Sequence, residues 1–191
     1  MAEVVLFHHS LGLTDGVRGY ADDLRAAGHT VHTPDLFEGR TFPDVDAGGA
    51  HVQEVGFGTI VERGRVAVEG LPQELVYAGL SLGAMPAQYL AQTRPGARGA
   101  VLFYSAIPPS EFDGPWPPGV PVQIHIMEAD PLALEGDLEA AREIAASVEG
   151  AELFLYPGDR HLFAEPGFPD YEEGAATLAK QRVMEFLRRI G

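Results

Sequence analysis

The sequence predicts an α/β fold of three layers, α/β/α, with a mostly parallel six-stranded sheet between two layers of helices. Short apolar, β-branched runs alternate with longer amphipathic stretches, the pattern of strands joined by crossover helices. Runs such as Val4-Val5-Leu6-Phe7 and Val101-Leu102-Phe103 are too apolar for a half-exposed sheet. They read as strands covered on both faces, as parallel strands usually are. The length of 191 residues suits one compact domain over residues 1–191, with enough chain to bury a core.

The elements follow in order. A first strand is expected over residues 3–8, a helix over 17–27 and a second strand over 29–33. Residues 34–50 hold Pro34, Gly39, Pro43, Gly48 and Gly49, so this stretch reads as a loop and not a helix interior. A helix over 58–68 leads to a third strand over 74–78, and a helix over 84–92 leads to a fourth over 99–104. Residues 105–121 form a second loop with Pro108, Pro109, Pro115, Pro117, Pro118 and Pro121. A fifth strand over 122–127, a helix over 137–148, a sixth strand over 151–156 and a closing helix over 171–190 complete the chain.

Composition removes several function classes. The 13 basic and 28 acidic side chains give a formal net charge of −15, which repels phosphate backbones and anionic lipid over a Debye length of ~8–10 Å. Neither nucleic acid nor a membrane is an expected partner, and the plainer role of the charge is solubility. With no cysteine there is no disulfide, no thiolate metal site and no thiol nucleophile. The start Met1-Ala2-Glu3-Val4 places an acid where a signal peptide needs basic residues, and about 18 unbroken apolar residues occur nowhere. The expectation is a soluble, cytoplasmic protein.

After the third strand comes Gly79-Leu80-Ser81-Leu82-Gly83, then a helix-forming run from Ala84. This is G-x-S-x-G in its strand–turn–helix setting. Small residues two before and two after the serine let strand and helix approach closely, and the hydroxyl is exposed at the carboxyl end of the sheet. The Leu82 N–H then points toward a developing oxyanion. The alternative is a turn whose serine merely caps the helix.

A serine hydroxyl needs a base oriented by a third group. In this architecture an acid and then a histidine follow the serine, each on a loop after a later strand. His161 is the sole histidine beyond position 125 and follows the sixth strand. For the acid, Asp130 after the fifth strand is preferred over Glu128, Asp137 and Asp159, although an Asp-Pro pair can be a simple turn initiator. Of the remaining histidines, His29 and His32 point to opposite faces of a strand. His125 reads as a hydrogen-bonded core residue, His51 as part of a solvated helix start, and His8 and His9 as the end of the first strand.

Together these residues resemble the dienelactone hydrolase family of the α/β-hydrolase superfamily. Pro34-Asp35-Leu36-Phe37, the elbow at 79–83, Glu128-Ala129-Asp130, His161-Leu162-Phe163-Ala164 and the helix from Tyr171 to Leu187 carry the resemblance over almost the whole chain. It implies a strand order of 2-1-3-4-5-6, an α/β-hydrolase sheet lacking its first two strands. It also implies that a backbone N–H of Ser10 or Leu11 joins that of Leu82 in an oxyanion hole.

The expected activity is that of a serine hydrolase cleaving a small ester or lactone through Ser81, His161 and Asp130, with no cofactor or metal. The chain would act as a monomer or homodimer. The rivals are a thioesterase or other acyl hydrolase on the same triad, and a non-catalytic binding protein of the same fold. Family members acting on dienelactone grip its carboxylate with an arginine shortly after the histidine. Here Glu165 matches that position, and His9 stands where the family can place a glutamate. Both are pocket candidates. Arg18, Arg40, Arg63 or Arg65 could supply a cation from elsewhere. Trp116, with Phe112 and Ile107, is expected to form either a lid or wall over the pocket or a rigid surface loop.

Overall fold

A computed structural model describes residues 1–112 and 114–191. Six strands, β1 (Glu3–Phe7), β2 (Thr30–His32), β3 (Val76–Leu80), β4 (Gly99–Phe103), β5 (Val122–Met127) and β6 (Ala151–Tyr156), form one sheet in the order β2-β1-β3-β4-β5-β6. Every pairing is parallel, so the sheet is wholly and not mostly parallel.

The helices are α1 (Asp15–Ala26), α2 (Val45–Val55), α3 (Phe57–Ala67), α4 (Ala84–Thr93), α5 (Asp137–Ser147) and α6 (Glu173–Ile190). Successive side chains of β1 serve opposite cores. Val4 and Leu6 pack with Val17 and Leu24 of α1 and with Ala179 and Phe186 of α6. Val5 and Phe7 pack with Ile60 of α3, Ala87 of α4 and Ile144 of α5. This double coverage is why the strands carry uninterrupted apolar runs. Among the described residues, no helix is long and apolar enough to cross a membrane.

Some expected boundaries shift for local reasons. Strand β3 begins at Val76 and not at residue 74, because its pairing with both β1 and β4 starts there. It runs on through Gly79 and Leu80, so the first glycine of the elbow is itself a strand residue. Helix α1 starts two residues early because the Thr14 hydroxyl accepts the Val17 N–H as its cap. Helix α6 starts at Glu173, capped by the Glu172 carboxylate on the N–H groups of Gly174 and Ala175.

Helix α2 corrects the reading of residues 34–50 as loop. Asp44 accepts the Ala47 N–H at 2.8 Å and starts a helix that Gly56, at φ 89°, ends. Gly48 sits inside it because a Cβ there would lie 2.1 Å from the Ser10 carbonyl oxygen. His51 is accordingly no solvated helix start. It is buried in the second turn of α2 with its ring against Phe37 and Phe42.

His125 is fully buried in β5, stacked between Phe103 and Phe154 and hydrogen-bonded to the Tyr156 hydroxyl at 2.8 Å and Gln123 Oε1 at 2.9 Å. Desolvation lowers its pKa to about 3. Burial likewise lowers His8 to about 4. As the pH falls below about 6.5, the unfolded chain binds protons at these residues that the fold refuses, so stability is lost on acidification from there toward pH 3. One whole proton is worth about 1.4 kcal/mol per pH unit. His125→Gln is expected to flatten the fall in urea stability between pH 6.5 and 4, and an unchanged slope would remove His125 from its cause.

Candidate active site

The site lies at the carboxyl end of the sheet, where loops after β1, β3, β4, β5 and β6 meet. After β3 the chain enters a short 3-10 turn over Ser81–Gly83 that feeds directly into α4. Ser81 has φ 51°, a left-handed conformation that costs a non-glycine residue about 1–3 kcal/mol and is kept only where the surroundings over-determine it. The flanking glycines show the constraint. A Cβ at Gly79 would lie 2.1 Å from the Gly83 carbonyl oxygen, and one at Gly83 would lie 2.3 Å from that of Phe7. Both obstacles are backbone and cannot rotate away. Gly83→Ala is therefore expected to destabilise the protein by about 3 kcal/mol or more, read as a lowered urea midpoint. A wild-type midpoint would mean that the elbow relaxes freely.

Three side chains converge here. Ser81 Oγ lies 2.7 Å from His161 Nε2, and His161 Nδ1 lies 2.6 Å from Asp130 Oδ2. The carboxylate can only accept, so Nδ1 carries a proton, and in the neutral form of the ring that proton leaves Nε2 as the acceptor for the serine hydroxyl. Asp130 is buried, and its Oδ1 takes the Leu132 N–H at 3.0 Å. The loop bearing His161 is pinned by the Glu172 N–H on the Phe163 carbonyl at 2.9 Å and by the Ala164 N–H on the Tyr104 hydroxyl at 3.3 Å. Of the other acids weighed from sequence, Asp137 lies on another wall of the site, described below.

The loop after β1 is held by buried polar contacts. The Leu11 N–H donates to His9 Nδ1 at 3.2 Å, which places the proton of this neutral ring on Nε2, and Nε2 donates to Glu165 Oε2. The Thr14 hydroxyl donates to Glu165 Oε1 at 2.7 Å. Next to this pair, His8 Nε2 accepts the Leu36 N–H at 2.9 Å, so the Pro34-Asp35-Leu36-Phe37 turn also braces the first loop. Of the two first-loop donors expected at an oxyanion, Leu11 is thus committed elsewhere, and Ser10 lines the cavity beside Ser81.

That cavity has a volume of about 360 Å³. Leu82 and Met85 from the elbow, Val45 and Val52 from α2, Phe57 from α3, Ile107 and Leu132 make it largely apolar, with Ser10, Gln53, Ser81, Ser105, Asp137 and His161 as polar groups. The wall from α2 escaped sequence reasoning because its glycines hid the helix, whereas α3 is the helix expected over 58–68, begun one residue earlier at Phe57. The spacing of Val45, Val52 and Val55 behind Asp44 was the available signal.

Three pocket candidates are corrected. Glu165 and His9 are buried beneath the first loop as each other's partners and do not line the cavity. Trp116 packs in the core with its indole N–H on the Val120 carbonyl at 2.7 Å. Among the described residues of the proline-rich loop, only Ser105 and Ile107 reach the cavity, while Phe112 packs against Tyr89. Among the described residues lining the cavity there is no lysine or arginine. Arg63 binds the Leu36 carbonyl and Glu38, Arg65 binds Glu62 and Glu69, and neither Arg18 nor Arg40 is a wall residue.

The sequence model of the dienelactone hydrolase family matches residues 1–191, the whole chain. The chain belongs to the dienelactone hydrolase family. Solved structures agree on its fold. A dienelactone hydrolase-like promiscuous phosphotriesterase from metagenomic libraries superposes with a TM-score of 0.83 at 17% identity, over 100% of this chain and 87% of that one. Dienelactone hydrolase from Anabaena variabilis gives 0.68 at 19% identity over 99% and 87%. Propionate-bound esterase 2 of Thermogutta terrifontis gives 0.71 at 19% identity over 100% and 84%. No curated protein sequence matches the chain.

Proposed function

We propose that this dienelactone hydrolase family member is a serine hydrolase that cleaves small esters or lactones through an acyl-enzyme. The observation that carries this reading is the unbroken hydrogen-bond chain Ser81–His161–Asp130 opening on an apolar cavity.

Ser81 Oγ attacks the carbonyl carbon as its proton passes to His161 Nε2, and Asp130 stabilises the resulting imidazolium through Nδ1. The carbonyl oxygen, now an oxyanion, takes the N–H groups of Leu82 and Ser10, a contribution of about 3–4 kcal/mol for a single such donor. Collapse of the tetrahedral species breaks the bond to the leaving oxygen, which takes the proton from His161. A water molecule then gives its proton to His161 and attacks the acyl carbon. Ser81 leaves with that proton, and the acid is released. No step needs a metal or cofactor.

The named activities of the structural neighbours support an acyl or phosphoryl electrophile, since one is an esterase also solved phosphonylated by cyclosarin and another is a promiscuous phosphotriesterase. A fluorophosphonate probe is expected to label wild-type protein at Ser81, located by peptide mass spectrometry. Absence of label, with a control hydrolase labelled in the same tube, would leave a non-catalytic binding protein as the better reading. A panel of matched esters, lactones and thioesters ranks the acyl classes by kcat/KM.

A further inference from the structure

The charge of the cavity narrows the substrate, an inference that rests on the hydrolase reading above. Of the described residues that line it, only Asp137 and His161 can ionise, and none carries a fixed positive charge. His161 is engaged with Ser81 and Asp130. Asp137 is not part of that chain. It opens α5 directly after Gly136, is half-buried, and accepts the Ser105 hydroxyl at 3.0 Å, which fixes its carboxyl on the cavity wall.

A carboxylate on the substrate would therefore meet a like charge and find no cation to offset it. An ammonium group would meet a partly desolvated counter-charge, in a protein whose net charge of −15 already draws cations toward it. The family position that could have carried a cation, Glu165, is buried and bonded to His9 and Thr14. We propose that Asp137 is a specificity-determining residue that recognises a cationic amine on the substrate, so that the site takes amino-bearing esters and turns away esters bearing a carboxylate.

The same wall gives the preference a pH signature. Burial pushes the Asp137 carboxyl up to about 6, while the Ser105 hydroxyl, His161 and the Ala106 N–H pull it down and Asp130 pushes it further up. Above that pH the carboxylate is present and the amine is favoured, and below it the preference fades. A ratio of two substrates read at one pH cancels any pH effect on the chemical step that both share.

The experiment uses three esters of one shape, ending in a trimethylammonium, a tert-butyl and a carboxylate group. In wild type at pH 7.5 the ammonium ester is expected to exceed the neutral one in kcat/KM by about tenfold or more, and the carboxylate ester to fall below it by a similar factor. Asp137→Asn keeps an acceptor for Ser105 and is expected to bring the ammonium-to-neutral ratio to about one. The neutral ester serves as each variant's own reference, and Ser105→Ala, which loosens the tie but keeps the charge, should retain the preference. An unchanged ratio in D137N, or a carboxylate ester as best substrate, would overturn the proposal. Equilibrium binding of the same esters to S81A separates the two readings. Tighter ammonium binding that D137N removes would stand even if no ester were turned over, whereas equal binding of all three would refute the role of Asp137 without touching Ser81.

Discussion

Ser81→Ala is expected to lower ester turnover by roughly 10⁴-fold or more while shifting the melting temperature by only a few degrees. The loss is large because the nucleophile and its proton acceptor act as one unit. With Oγ gone, His161 has no proton to take and no acyl-enzyme forms. The fold has little reason to respond. Alanine occupies the φ 51° position at a cost similar to serine's, and His161 remains tied to Asp130 at 2.6 Å. The residual rate belongs to the oxyanion donors and to substrate positioning. Steady-state kinetics and a thermal melt on the same preparation check both halves, and retained activity would point to another nucleophile.

Asp130→Asn is expected to cost about 10⁴-fold in kcat through a different route. The asparagine amide faces Nδ1 of His161 with either a donor or a weaker acceptor. Its N–H₂ would favour the tautomer with the proton on Nε2, which then points a hydrogen at Ser81 Oγ in place of a lone pair. Nothing need move for the base to be lost. Because Asp130 is buried and also holds the Leu132 N–H, the isosteric amide is the informative change, and alanine would confound the result with a cavity. A rate within tenfold of wild type would reassign the acid, with Asp137 as the next carboxyl to test.

The sheet was legible because strands covered on both faces leave continuous apolar runs, as in Val4–Phe7 and Val101–Phe103. The elbow was legible because close backbone approach at Gly79 and Gly83 admits so few residue types. The same physics hid α2. Gly48 faces the Ser10 carbonyl, and a rule that reads paired glycines and prolines as loop cannot see a contact 38 residues away in sequence. Glu165 failed for a similar reason. Its place after His161 suggested a charge facing substrate, but its partners His9 and Thr14 lie 156 and 151 positions distant, and only the folded chain brings them under the first loop. Asp137 was weighed as a partner for the histidine, and its position on the cavity wall follows from α5 packing beside the loop after β4, which no local pattern encodes.

The nucleophile assignment is tested most directly by rapid-quench mass spectrometry of the wild-type enzyme mixed with an activated ester. An acyl group is expected on the peptide containing Ser81, approaching one per chain when deacylation is slow and absent from S81A. Acyl transfer to a different residue, or turnover of the same ester by S81A at the wild-type rate, would contradict it.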